Sequence, residues 1–197
     1  GVYHREAIVN GADLTRLAMR FKGFESTMEK EGSCFMHKDC SQCQNLRNFC
    51  KQYFKDYDEQ VDRKVFAAMI ELYVNNIDPK FFPEEITQLV KKFKGDYQKL
   101  TDYVYKNSIL ANQERLYAWL DKGVDKKTID KDPAYLITKS AQTQNYALRD
   151  YLKDNNQKIG LLRTLYMEAL VEMNANKVLA PDANSTMRIT YGTVGGY

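Results

Sequence analysis

The feature that most constrains the fold is a change of hydrophobic period near the C-terminus. For roughly 170 residues, apolar side chains recur at helical spacing. From Thr186 to Tyr191, polar and apolar residues then alternate one by one, which is typical of a half-buried strand. One strand can neither pair its own backbone groups nor bury its face. The sequence therefore predicts an all-α, irregular multi-helix domain of seven or eight helices, followed by a strand whose sheet lies outside this chain.

Caps and helix breakers divide the helical part into segments. The first helix is expected over His4–Glu29, with Gly11 as a weak spot and an end near Gly32. Further helices are expected from Asp39 or Ser41 to Tyr57, from Asp58 to the Asp78-Pro79 break, and over Pro83–Lys94, Asp96–Lys106 and Asn112–Asp121. The last helical stretch is expected from Asp132-Pro133 to Asn176, with an interruption around Asn155, Asn156 and Gly160. In the helix that follows Asp58, a single stripe is expected to be formed by Val61, Val65, Met69, Leu72 and Tyr73.

Composition excludes several classes of protein. Hydrophobic residues at 44% and charged residues at 28% are ordinary for a globular domain. The 29 basic and 26 acidic residues are interspersed, so no field attracts a phosphate backbone and nucleic acid is not an expected partner. The longest apolar runs, such as Val65 to Ile70, are far shorter than the roughly 20 residues of a membrane span. The sequence also shows no signal peptide.

Three stretches carry a resemblance to a known family. The segment from Lys177 to Tyr197, KVLAPDANSTMRITYGTVGGY, resembles the return from the helical domain into the second β-barrel of bacterial serine dipeptidyl-peptidases of the dipeptidyl-peptidase seven and eleven type. Residues 53–73 and 160–173 resemble the same family more loosely. The resemblance implies a helical cap domain over residues 1–178 and the start of a return strand, into the second catalytic β-barrel, over residues 179–197.

The family's known architecture implies a function for the parent protein. Such enzymes are similar to chymotrypsin in their catalytic double barrel, and an inserted helical domain caps the cleft and helps restrict hydrolysis to dipeptides released from a free N-terminus. This chain is expected to be that cap: a fragment that is not itself catalytic, in an exported parent located in the periplasm or at the cell surface. Its expected partners are an oligopeptide substrate and the barrels of the same parent, and a homodimeric parent is kept as an open expectation.

No catalytic residue is assigned. The resemblance places the triad His and Asp before the helical insertion and the nucleophilic Ser after it, and no Gly-Asn-Ser-Gly turn occurs here. The two histidines, His4 and His37, do not stand in a pattern that indicates a nucleophile with its base. The chain is accordingly expected to hold no catalytic, cofactor-binding or metal-binding residue.

A cysteine cluster is the one local pattern with possible chemistry. Its members are Cys34, His37, Cys40, Cys43 and Cys50. Thiolates and imidazole suit tetrahedral zinc, but the second ligand pair of ordinary zinc modules is missing. On one helix, Cys43 and Cys50 would be roughly 10 Å apart, beyond the reach of a disulfide. We therefore expect no metal, and either free half-buried thiols or a single disulfide, with both alternatives open.

A second class of function remains open. The chain could instead be a free-standing helical module for protein interaction, with its terminal strand added to the sheet edge of a partner. A Gly-Asn-Ser-Gly turn downstream in the same gene, with a signal peptide upstream, would favour the peptidase.

Overall fold

The fold was analysed in a computed structural model, which describes residues 3–25, 41–122 and 126–177 together with residues 187, 189, 191–193 and 195. The helices are α1 (His4–Val9, π-helical), α2 (Asp13–Gly23), α3 (Ser41–Asp56), α4 (Glu59–Asn76), α5 (Glu84–Lys92), α6 (Tyr97–Asn107), α7 (Gln113–Lys122), α8 (Lys126–Ile129), α9 (Pro133–Tyr151) and α10 (Lys153–Met173), with a 3-10 turn at Pro79–Phe81. Within these described ranges there is no strand, so the all-α fold class is confirmed.

Most predicted helix starts are confirmed because they depend on local capping. Asp58 accepts hydrogen bonds from the Gln60 and Val61 amides and begins α4. Asp96 begins α6 in the same way, through the Lys99 amide. These aspartates satisfy amide groups that have no partner inside the helix. The described ranges contain more helices than expected, because the first predicted segment is broken into two and the short helix α8 was not predicted.

The first difference is a break at Gly11, where the prediction of one continuous helix from His4 to Glu29 was wrong. The chain leaves α1 at Val9 and re-enters a helix at Asp13. Gly11 lies so close to the preceding turn that an added Cβ would clash with the Ala7 carbonyl oxygen. Asp62 of α4 then accepts hydrogen bonds from the Asp13 and Leu14 amides, at 2.6 and 3.1 Å, and so caps α2 from another helix.

The second difference concerns α4, whose predicted stripe was wrong in phase. Val61, Val65 and Leu72 are exposed, whereas Tyr73 is buried as expected. The buried face consists of Asp62, Phe66, Ala67, Ile70 and Tyr73. Since α4 is apolar on two sides, its spacing alone supports either face.

The third difference is the position of the break in the last helical stretch. The interruption was expected around Asn155, Asn156 and Gly160, but α9 ends at Tyr151 and α10 begins at Lys153. Helix α10 continues through Gly160 to Met173. Asn and Gly lower the stability of a helix interior but can still adopt helical conformation, so their presence predicted the interruption at the wrong residues.

The described residues separate into two compact units, residues 1–151 and 152–197. In the first unit, α9 packs against α1, α2 and α5, and α4 packs against α1 and α6. Its core contains large side chains that are almost completely buried: Phe21, Phe66, Tyr73, Tyr105 and Tyr135. The second unit contains α10, none of whose residues is buried.

The predicted strand from Thr186 to Tyr191 lies mostly outside the described residues. Met187, Ile189 and Tyr191 are described, have no regular secondary structure and are exposed. The assignment of residues 179–197 to a barrel strand therefore stays a prediction. Within the described ranges, no helix combines the length and apolarity that crossing a membrane requires.

Candidate functional site

The histidine in the described part of the chain has a structural environment. His4 is buried, and its Nε2 lies 2.9 Å from the Phe81 carbonyl oxygen and 3.0 Å from the Tyr73 hydroxyl. Its ring also packs edge-on against that of Tyr73. Burial lowers the pKa of His4, although the hydrogen bond to Phe81 acts in the opposite direction. These contacts join α1 to the 3-10 turn, and no hydrogen bond joins the imidazole to a serine or cysteine of the described residues.

The cysteine cluster is only partly described. Cys34, His37 and Cys40 lie outside the described residues, as does the side chain of Cys43. Cys50 is a buried free thiol whose pKa burial raises to about 12. A thiol in this state is neither a nucleophile nor a ready metal ligand at neutral pH. No group of metal-binding side chains occurs in the described part of the chain, and the open alternatives for the other cysteines stay predictions.

A polar groove lined by carboxylate, amide and hydroxyl side chains lies between α5 and α9. It encloses about 350 Å³ and is lined by Glu84, Glu85, Gln88, Leu136, Lys139, Ser140, Thr143 and Gln144. Carboxylates, amides and hydroxyls together can accept from and donate to a peptide backbone or hold an ammonium group.

The two helices are joined at the groove by an unusual cap. Pro83 precedes α5 and offers no side-chain oxygen to its first amides. The Glu85 amide instead donates to the Ser140 hydroxyl of α9, at 3.1 Å. This bond satisfies one of the free amides of the helix N-terminus and fixes the width of the groove at that point.

The electrostatics of the groove depend on Glu85. Gln88 donates to the Glu84 carboxylate at 3.2 Å, whereas no hydrogen bond or ion pair with the described residues engages the carboxylate of Glu85. Partial burial, and next the charge of Glu84, raise the pKa of Glu85. The groove therefore presents a half-buried acid that a cationic group would stabilise in its charged form.

The lysine of the groove is already neutralised. Lys139 donates to Glu25 at 2.7 Å and to Asp130 at 3.1 Å, and Lys22 also pairs with Glu25. Burial of Glu25 raises its pKa, but the two lysines outweigh that effect and lower it to about 2. This cluster holds the C-terminal end of α2 against α9.

The N-terminus of α9 is held by Asp132, which is buried. Its carboxylate accepts from the Ala134 and Tyr135 amides at 2.9 and 3.1 Å, as a helix cap does. It also accepts from the Ser108 hydroxyl at 2.9 Å and the Ile109 amide at 2.7 Å in the α6–α7 connection. Burial raises the pKa of Asp132, and these bonds act in the opposite direction. The helix start at Asp132-Pro133 is thus confirmed, and the same residue anchors a second segment.

A second recess, on α2, is basic. It encloses about 480 Å³ between Asn10, Arg16, Met19, Arg20, Gly23 and Phe24. Arg16 pairs with Asp13, and the Arg20 guanidinium stacks on the Phe49 ring at 4.6 Å. Both arginines therefore already have intramolecular partners.

Sequence reasoning assigned no residue to either recess. Glu84 and Glu85 lie in the first turn of α5, where negative charge is favourable for a helix N-terminus. Glu84 and Glu85 line the same groove as Ser140 and Lys139 only because α5 packs on α9. No local pattern around Glu85 indicates that contact.

The sequence of the chain identifies its family. The sequence model of the Peptidase S46 family matches residues 2–197. The chain belongs to this family. It is 36% identical over 143 residues to a dipeptidyl-peptidase 7 of Phocaeicola vulgatus, which covers 73% of this chain and 20% of that protein. It is 30% identical over 200 residues to an Asp/Glu-specific dipeptidyl-peptidase of Flavobacterium psychrophilum, which covers 99% of this chain and 26% of that protein.

A solved structure confirms the fold. The crystal structure of Porphyromonas endodontalis DPP11 in complex with the dipeptide Arg-Glu superposes with a TM-score of 0.68 at 20% identity, over 93% of this chain and 26% of that one. The predicted resemblance to dipeptidyl-peptidases seven and eleven is therefore confirmed. The chain spans about a fifth to a quarter of the length of these relatives.

Proposed function

We propose that this chain is the helical domain of an exported serine dipeptidyl aminopeptidase, and that it restricts the enzyme to free N-termini without carrying catalytic groups. The observation that carries the proposal is the family match along residues 2–197, combined with relatives that are dipeptidyl-peptidases nearly four times as long as this chain. Acyl transfer through Ser, His and Asp would then belong to the remainder of the parent polypeptide.

The environment of the described titratable groups supports a non-catalytic role. The Nε2 atom of His4 is engaged by Phe81 and Tyr73, and Cys50 is buried with a raised pKa. A general base needs a nitrogen or oxygen within reach of the proton that it removes from the substrate, whereas the Nε2 atom of His4 is buried against protein groups. A nucleophile needs access to the substrate, which the buried Cys50 thiol lacks. The groove at Glu85 offers a surface for the amide and ammonium groups of a peptide.

The first test uses the chain alone and the intact parent. The purified 197-residue chain should release nothing from fluorogenic dipeptidyl substrates that the parent hydrolyses. Turnover by the chain that a serine-directed inhibitor abolishes would contradict the non-catalytic role.

The second test concerns restriction to free N-termini. In a parent whose residues 1–177 are replaced by a short linker, we expect cleavage of N-acetylated peptides that the intact parent leaves uncut. Labelling by a fluorophosphonate shows whether the shortened enzyme keeps a formed active site. A labelled enzyme that still requires a free N-terminus would refute the restricting role.

The proposed location has its own test. Export predicts that the parent gene encodes a signal peptide and that the mature protein is recovered from the periplasm or the cell surface. Recovery of the unprocessed protein from the cytoplasmic fraction would contradict this part of the proposal.

A further inference from the structure

The groove between α5 and α9 contains a carboxylate that the described part of the fold leaves without a partner. Glu85 is half-buried on α5, and no hydrogen bond or ion pair with the described residues engages its side chain. Only its backbone amide is engaged, since it donates to the Ser140 hydroxyl at 3.1 Å. A charge that is partly removed from water is stabilised by an opposite charge nearby. The position of Glu85 therefore favours a cationic ligand.

The lysine side chains near this carboxylate are engaged elsewhere. Lys139 also lines the groove, but its ammonium group donates to Glu25 at 2.7 Å and to Asp130 at 3.1 Å. Lys92 lies further along α5, and its ammonium group lies over the Tyr103 ring, 3.8 Å from the ring centroid. A cation that compensates the charge of the groove must therefore come from outside the described residues.

The other polar groups of the groove are acceptors with capacity left. The Ser140 oxygen accepts one amide proton and keeps a second lone pair. The Thr143 hydroxyl donates to the Lys139 carbonyl at 3.0 Å, so its oxygen can still accept. Glu84 accepts from Gln88 through one of its two carboxylate oxygens. An ammonium group has three donors and no acceptor, so it suits a set of acceptors of different kinds.

Helix α9 also gives the groove an apolar residue beside these acceptors. Leu136 lines the groove four residues before Ser140, and it therefore lies on the same face of α9. A lysine side chain can lay its methylene stem along such a residue while its ammonium group contacts the polar groups. The α-ammonium group of a peptide N-terminus has no such stem.

We propose that this groove binds a lysine side chain of a peptide, with the ammonium group between Glu85 and Ser140 and the stem against Leu136. The ligand is taken to be a peptide because the parent is proposed to act on peptides, so this part of the inference rests on the proposed function. Binding of the side chain itself depends only on the groove.

A titration of the isotope-labelled 197-residue chain, followed by nuclear magnetic resonance, tests the site. The probe is Nα-acetyl-lysine N-methylamide, whose only charge is the side-chain ammonium group. It should shift the amide signals of Glu85 and Ser140, with a Kd in the millimolar range that is typical of so small a ligand. The norleucine derivative keeps the carbon stem without the charge and should bind about tenfold more weakly.

Two variants locate the charge that binds the probe. Glu85→Gln keeps the shape of the side chain and the backbone bond to Ser140, and it should weaken binding about tenfold. Glu71→Gln removes an exposed carboxylate of α4 that does not line the groove, so this matched control should bind as the original chain does.

Several results would overturn the proposal. They are the absence of shifts at Glu85 and Ser140, equal binding of the norleucine derivative, and equal weakening in the two variants. Tighter binding of alanine N-methylamide, which carries a free α-ammonium group, would assign the groove to a peptide N-terminus and overturn the choice of lysine. None of these measurements needs peptidase activity, so a failure here is distinct from a failure of the proposed function.

Discussion

Replacing Asp132 by alanine should be among the most damaging single substitutions in residues 1–151. The buried carboxylate accepts from the Ala134 and Tyr135 amides, which begin α9, and from the Ser108 hydroxyl and the Ile109 amide of the α6–α7 connection. Alanine offers no acceptor, and Asp132 is only 3% exposed, so water has little access to these donors.

The magnitude follows from the number of buried donors. Loss of a helix N-cap costs about 1 kcal/mol, and each buried donor left without a partner costs about 1–3 kcal/mol. Together these terms predict that Asp132→Ala lowers the free energy of unfolding by about 3–5 kcal/mol. Asparagine keeps one acceptor oxygen but places an NH2 group against a donor, so Asp132→Asn should cost an intermediate amount.

Asp58 provides the matched control. It also caps a helix through two amides, at 2.9 and 3.1 Å, but it is exposed, so water replaces the lost acceptor in Asp58→Ala. That variant should cost about 1 kcal/mol. Thermal unfolding followed by circular dichroism measures both effects, because each kcal/mol of lost stability lowers Tm by about 2–4 °C in a chain of this size. We expect Tm to fall by about 8–15 °C for Asp132→Ala and by about 2–4 °C for Asp58→Ala. Equal shifts would refute the reasoning that burial, rather than capping alone, makes Asp132 important.

Three further predictions concern other residues of the fold. Because the pKa of Glu25 is lowered to about 2, its ion pairs stabilise the fold above about pH 4.5, and this stability is lost as the pH falls through 2. Glu25→Gln should remove about 1–2 kcal/mol of this acid-dependent stability in urea titrations, and a variant whose stability still falls as steeply between pH 4.5 and 2 would contradict this account. Gly11→Ala should lower Tm through the contact with the Ala7 carbonyl, while Gly160→Ala, with nothing within 4 Å, should increase helicity, and equal effects would contradict this account. The Cys50 thiol should resist a maleimide in the native protein and react after denaturation, and native labelling mapped to Cys50 would contradict its burial.

Local chemistry made much of the fold predictable. Asp58, Asp96 and Asp132 were expected to begin helices, and each does so by accepting amides within three residues of itself. Such bonds depend on a few consecutive residues, so a sequence pattern suffices. The second pair of contacts of Asp132, to Ser108 and Ile109, joins residues more than 20 positions apart, and no spacing rule indicates it.

The break at Gly11 shows where local reasoning stops. Glycine marked a weak spot, but whether the helix bends or ends there depends on Asp62, which caps the next helix from 49 residues away. The candidate groove has the same origin, since Ser140 replaces the cap that Pro83 cannot supply. In both cases the deciding partner belongs to another helix.

The wrong phase of α4 and the exposed apolar residues of α10 have a common physical cause. A helix with apolar residues on one side can be oriented from its sequence, because only one face can be buried. On α4, Val61, Val65 and Leu72 form a second apolar face, about a third of a turn from the buried one, so periodicity supports two orientations. On α10 the apolar residues extend around most of the helix, and periodicity supports no single orientation within one chain. The proposed parent polypeptide would give these exposed apolar residues a physical role, because elements outside this chain could pack on them.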